Sequence, residues 1–177
     1  MENTMLYTLE PAAMDDAALC MDILNESRQF QRTQGFVQWT DDYPGIDTIR
    51  SDIENNNGYL IQADGMAAGY LCLDFTGEPA YARIKGAWHS EQPYAVIHRL
   101  AICAQFREKG LADTAFALVK QRCLDCRTTY LQADTHSENK RMQHILTKNG
   151  FTACGIISLR GEERLAYDLK LSRETAR

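Results

Sequence analysis

The sequence predicts an α/β domain in which helices cover a mixed central sheet. Three observations predict it. β-rich apolar runs recur along the chain, segments of helical periodicity separate them, and a central pair of runs reads as a hairpin. The order is β, α, α, an antiparallel run, then β-α-β-α-β-β, with no linker or internal repeat to divide it. The expectation is one domain over residues 1–172, with 173–177 a frayed tail.

The elements follow in order. MLYTL, residues 5–9, reads as a strand. Ala13, Ala17, Cys20, Leu24 and Ser27 recur at steps of four and three, which predicts an amphipathic helix with Pro11 near its start. Pro44-Gly45 signals a turn, followed by a short helix through Ile49 and Ile53. Residues 58–75 form a hairpin about Asp64-Gly65, a pair suited to a tight turn. A short helix is expected around Tyr81 to Ile84, and YAVIHRLAIC, residues 94–103, is a strand. Residues 108–125 predict a second long helix, with Leu111, Ala115, Leu118, Val119 and either Arg122 or Cys123 on one face. TTYLQAD is a strand, and a helix follows with Ser137 as its cap and Gly150 ending it. Two strands around Gly161 close the chain.

Composition narrows the function. The net charge of −5 argues against a nucleic-acid binder, which needs a basic face. No run approaches eighteen apolar residues, so no transmembrane helix is expected. The start, MENTMLYTLE, lacks the segments of a signal peptide, which makes the cytoplasm the expected compartment. Six cysteines are present; Cys123 and Cys126 form a CxxC late in a helical pattern, without a second pair at ligand spacing, so no metal is expected.

The most informative stretch is Arg107-Glu108-Lys109-Gly110-Leu111-Ala112, between an apolar strand and a helix. A strand that turns straight into a helix points several backbone N–H groups outward at the positive end of the helix dipole, which suits an anion. Gly110 and Ala112 leave room for a phosphate. A plain turn with a charged exterior is the other reading. No GK[ST] and no three-glycine fingerprint is present, which excludes a nucleotide P-loop and a dinucleotide fold.

Arg107-x-x-Gly110-x-Ala112 after an apolar strand resembles the acetyl-CoA motif of the GNAT acetyltransferases. LQADTHSENKRMQHILTKNGF resembles that family's strand, asparagine and helix ending in Gly-Phe, here Gly150-Phe151. WTDDYPGIDTIRSDI, Ile97-His98-Arg99, Asp134-Thr135-His136 and Cys154-Gly155-Ile156-Ile157 resemble a bacterial branch of uncharacterised GNAT proteins.

The resemblance implies a mostly antiparallel central sheet flanked by helices, and acetyl transfer from acetyl-CoA to a primary amine by direct attack. It implies that backbone of Leu100, Ala101 and Ile102 holds pantetheine, with the Ile102 N–H near the thioester oxygen. Residues Arg107, Glu108, Lys109, Gly110, Leu111 and Ala112 would hold the pyrophosphate, and Asn139 would contact the cofactor. Ala104 stands where relatives carry a proline.

An alkyl amine is only about 0.04% unprotonated at pH 7, an entry cost of roughly 4.6 kcal/mol, so a proton acceptor is needed. Asp134 and His136 are the candidates. Many relatives carry a general-acid tyrosine where this chain has Leu146; Tyr94 and Tyr130 are the replacements considered. Trp39, Tyr43 and Trp88 could wall the acceptor site, with His98 facing it. The expected partner is a small-molecule or peptide amine, without nucleic acid or membrane, and a homodimer is left open. A non-catalytic acyl-CoA sensor and a structural domain whose turn holds only an anion are the competing functions.

Overall fold

The computed structural model describes residues 4–172; the tail expected to fray, 173–177, lies outside them. The strands are β1 (Tyr7–Pro11), β2 (Gly58–Ala63), β3 (Met66–Asp74), β4 (Lys85–Gly86), β5 (Ala95–Ile102), β6 (Tyr130–Thr135), β7 (Thr152–Leu159) and β8 (Glu162–Lys170). The helices are α1 (Ala17–Thr33), α2 (Ile46–Glu54), α3 (Leu111–Asp125) and α4 (Lys140–Lys148). The strands follow the order β1-β2-β3-β5-β6-β8-β7-β4 in one sheet. β5 and β6 pair parallel, whereas β1–β2, β2–β3, β6–β8, β7–β8 and β4–β7 pair antiparallel. This is the mixed, mostly antiparallel sheet flanked by helices that the resemblance implied.

The described residues form two compact units, one within 4–73 and 99–118, the other within 74–98 and 119–172. In the first, α1 buries Ala17, Cys20, Ile23 and Leu24 against Trp39, Ile49, Leu60, Tyr70 and Ala101. In the second, Tyr81, Val96, Cys154, Ile157 and Ala166 form a core with Trp88 and Tyr94 packed on it.

Several boundaries differ from the sequence expectation. Pro11 ends β1 rather than opening a helix; it pairs with Tyr59 on a terminal strand of the sheet, where a missing N–H costs no inner ladder bond. A short 3-10 turn, Met14–Asp16, then leads into α1. The expected helix near Tyr81 is the 3-10 segment Pro79–Arg83. α3 begins at Leu111, three residues late, because 104–106 form a 3-10 turn and 107–110 the loop. Asn139, not Ser137, caps α4: its Oδ1 accepts the Met142 N–H at 3.1 Å. β4 has no counterpart in the sequence reading. Gly86 and Gly155 meet face to face there; a Cβ on either would lie 2.2 Å from a carbonyl oxygen of the opposite strand, Cys154 for Gly86 and Lys85 for Gly155.

Among the described residues, no helix is long and apolar enough to cross a membrane.

Candidate active site

β5 changes neighbours along its length. Its first half pairs with β6 from Ala95↔Leu131 to Ile97↔Ala133. Its second half runs beside β3: a Cβ on Gly69 would lie 2.6 Å from the Ala101 oxygen, and the Cys103 N–H donates to the Ala68 oxygen at 2.9 Å. Between the halves stands Arg99 with φ 54, a left-handed conformation that costs a non-glycine residue about 1–2 kcal/mol.

The Arg99 side chain explains how that strain persists. Nε donates to Asp52 Oδ2 at 2.9 Å, Nη2 donates to Asp52 Oδ1, and Nη1 donates to Tyr43 Oη at 2.9 Å. Tyr70 Oη donates to Asp52 Oδ2 at 2.7 Å. The bidentate pair fixes the kink and thereby the direction of Leu100, Ala101 and Ile102. Tyr43, expected to meet an acceptor, is engaged here. Trp39 is 6% exposed within the core of the first unit, and its backbone N–H donates to Gln31 Oε1 at 3.3 Å.

The turn after β5 alternates its handedness. Glu108 has φ 63 and Gly110 φ 76, while Lys109 between them is not left-handed. Such alternation turns successive N–H groups toward one concavity. α3 follows at once: the Thr114 N–H donates to the Gly110 oxygen at 3.2 Å, so the amides of Leu111 and Ala112 precede the first intrahelical bond. Nothing lies within 4 Å of a Cβ built on Gly110. The glycine is therefore required by backbone conformation, with open space beyond it. The Arg107 side chain is turned back onto α1, its guanidinium 4.3 Å from the Phe30 ring centre and 3.8 Å from Glu26 Oε2. Glu26 also accepts the Ala104 N–H at 2.7 Å, which pins the approach to the turn.

The second unit gathers the candidate proton carriers. β6 and β8 share a polar face: Tyr130, Gln132 and Asp134 on one strand, and Glu162, Arg164 and Asp168 on the other. Asp134 accepts a hydrogen bond from Tyr81 Oη at 2.6 Å, and Arg164 Nε stands 4.0 Å from its other oxygen. Arg164 Nη2 reaches Glu162 at 2.9 Å. Burial, then the Asp134 carboxylate, push the Tyr81 phenol well above its ordinary range, so it remains a donor. Trp88 lies against Tyr81, with ring centres 5.1 Å apart, and its indole N–H donates to the Tyr81 oxygen at 2.9 Å. The His98 ring is 6.5 Å from that of Tyr81, and its Nε2 is 3.7 Å from Glu78 Oε2.

His136 Nδ1 accepts the Glu138 N–H at 3.1 Å. A neutral ring held this way carries its proton on Nε2, so it could accept another only by giving up that bond. Leu146, where relatives hold a tyrosine, is 1% exposed. Tyr130 Oη donates to Asp168 Oδ2, and Tyr94 Oη accepts the Glu78 N–H at 3.3 Å.

Sequence reasoning missed Tyr81, Glu78, Arg164 and the Asp52–Arg99 pair. For Arg164 a signal existed: Glu162, Arg164, Ala166 and Asp168 alternate along the last strand, which marks a polar face. For Tyr81 none existed, since its partner lies 53 residues away.

The profile of the acetyltransferase (GNAT) family matches residues 20–151. The crystal structure of a GNAT-family acetyltransferase from Streptococcus agalactiae is 32% identical, with a TM-score of 0.84 over 94% of this chain and 96% of that one. One from Listeria monocytogenes is 18% identical, with a TM-score of 0.74 over 93% and 95%. The aminoglycoside acetyltransferase AAC(6')-Ib in complex with coenzyme A is 20% identical, with a TM-score of 0.69 over 96% of each chain; the last two likenesses are of fold. No curated protein matches the sequence.

Proposed function

We propose, since this chain belongs to the acetyltransferase (GNAT) family, that it moves the acetyl group of acetyl-CoA onto a primary amine. Bound acetyl-CoA supplies an acetyl group on a thioester, which an unprotonated amine can attack directly. The observation that carries this reading is the turn at 107–110. Its alternating handedness, the first-turn amides of α3 and the open space at Gly110 suit a diphosphate. Main chain of Arg107 through Ala112 would hold that group, and main chain of Leu100, Ala101 and Ile102 the pantetheine. Asn139 would contact the cofactor from the start of α4.

Chemistry at the acceptor falls to the second unit. Because a free alkyl amine costs roughly 4.6 kcal/mol at pH 7, we assign Asp134 to take its proton, directly or through water. Tyr81 holds that carboxylate in one orientation. Asp134 is preferred over His136 because the imidazole's Nδ1 is already an acceptor for a backbone N–H. Of the two replacement tyrosines, Tyr130 already donates its hydroxyl hydrogen bond to Asp168, so Tyr94 is the one we assign to protonate the leaving thiolate. Trp88 and His98, grouped about Tyr81, would face the acceptor.

Leu146 favours one second reading, a non-catalytic acyl-CoA-binding domain, because the usual donor is replaced by a core side chain. Thermal unfolding with acetyl-CoA, free CoA and ATP, followed by thiol release across a panel of primary amines, separates the two. At one hundred times its dissociation constant acetyl-CoA should add about 2.7 kcal/mol, with ATP inert and at least one amine releasing thiol. Stabilisation without thiol release would favour the binding domain. No stabilisation by either CoA compound would overturn both.

A further inference from the structure

His89, Cys154 and Asp168 come from three separate segments of the second unit, and their ligand atoms all lie within 4.8 Å of one another. His89 Nδ1 is 2.8 Å from Asp168 Oδ1 and 3.5 Å from Cys154 Sγ. We propose that these three side chains form a binding site for a divalent ion of the zinc class.

The distances carry the first part of the argument. With zinc–sulfur near 2.3 Å and zinc–nitrogen near 2.0–2.1 Å, the S···N edge of a tetrahedron is about 3.5 Å. The Cys154–His89 separation already has that value. The N···O edge would be about 3.3 Å and the S···O edge about 3.6 Å, so Asp168 Oδ1, now 2.8 Å from His89 Nδ1, has to shift relative to both partners on binding, within a cluster whose ligand atoms already lie inside 4.8 Å. Thiolate, imidazole and carboxylate together suit zinc rather than magnesium or calcium.

The surroundings carry the second part. Cys154 occupies a bulge in β7, where the register shifts between Ala153 and Gly155, and bulges re-aim side chains. Asp168 is oriented through its other oxygen by the Tyr130 hydroxyl and by the His89 backbone N–H at 2.8 Å, as an outer shell orients a ligand. Gln132 sits opposite Asp168 in the β6–β8 register, and its Oε1 is buried without a hydrogen-bond partner. A buried acceptor in that state calls for a donor, and water on the ion's fourth position would be one. The His89 side chain is 49% exposed, which gives an ion its way in.

Charge balances. On binding, the Cys154 S–H bond breaks, its proton leaves to solvent, and a sulfur–metal bond forms. Without an ion the His89 Nδ1–H donates to Asp168 Oδ1; on binding that hydrogen bond breaks, the Nδ1 proton leaves to solvent, Nε2 takes one up so that the ring stays neutral, and Nδ1 coordinates. Thiolate and carboxylate then neutralise the divalent charge. The CxxC at Cys123 and Cys126 plays no part, which is why sequence spacing led to an expectation of no metal.

The test uses the full-length chain, stripped with chelator and titrated with Co²⁺ and then Zn²⁺. One equivalent of Co²⁺ should give a thiolate-to-cobalt charge-transfer band in the near ultraviolet, and Zn²⁺ should displace it. Cys154→Ser should abolish the band. His89→Ala should weaken Co²⁺ binding at least tenfold, the lower end of what losing an outer-shell partner alone costs. Should Cys154→Ser fail to fold, the half-exposed His89 variant decides. No saturable equivalent in the parent protein, or a band and affinity unchanged in a folded variant, would overturn the site.

Discussion

Asp52 and Asp134 are alike in their surroundings, and the function proposed above gives them opposite uses. Each is a buried carboxylate that accepts a hydrogen bond from a buried tyrosine, at 2.7 Å from Tyr70 and 2.6 Å from Tyr81. Each has an arginine nearby. Arg99 grips Asp52 with two nitrogens, whereas Arg164 stands 4.0 Å from Asp134 and turns its Nη2 to Glu162. A carboxylate closed by a bidentate arginine is a fastener, and here it holds the left-handed kink of β5. A carboxylate with its arginine held back is the better candidate to take a proton. Burial and a tyrosine partner are common to both carboxylates, so the proposed division of roles rests on the geometry of the arginine.

The sharpest way to break this comparison is to neutralise each carboxylate in turn. Asp134→Asn should lower kcat/KM for acetyl transfer about 10²–10⁴-fold, read by thiol release, with a smaller loss of stability. Asp52→Asn should do the reverse. If the two variants lose activity equally at matched stability, the division of roles is wrong.

Next come the arginines. Arg99→Met leaves Asp52 buried without its bidentate partner and should cost about 3–5 kcal/mol in urea unfolding. Arg164→Met should cost less than half of that, because its contact with Asp134 is long. Equal losses would erase the distinction drawn from the distances.

The tyrosines give the smallest effects. Tyr70→Phe should cost about 1.5–3 kcal/mol of stability, the usual worth of a hydrogen bond to a charged group, with kcat unchanged. Tyr81→Phe should lower kcat/KM by about tenfold, equivalent to about 1.4 kcal/mol of lost orientation. A Tyr81→Phe enzyme with full activity would remove Tyr81 from the site.

How much of this was legible in the sequence depends on the range of the interaction. The Asp64-Gly65 hairpin and the Gly150 helix end are local, and both stand as read, with left-handed residues at each. The turn at Gly110 was legible for the same reason, although the glycine serves backbone conformation more than clearance. Pro11 misled because a terminal strand tolerates a residue that also opens helices. The Asp52–Arg99 and Tyr81–Asp134 contacts span 47 and 53 residues, and no periodicity reports them. The aromatic wall divides: Trp39 is a core side chain of the first unit, while Trp88 packs on Tyr81 in the second.

The central claim is that the turn at 107–112 grips acetyl-CoA, and calorimetric titration of the parent protein and Gly110→Val tests it most directly. Nothing crowds a side chain at that position, so the variant should fold; a β-branched residue at φ 76 nevertheless strains the loop by about 1–2 kcal/mol. Acetyl-CoA should bind the parent protein and bind the variant at least tenfold more weakly. No binding by the parent, or equal affinity in the two, would contradict the account.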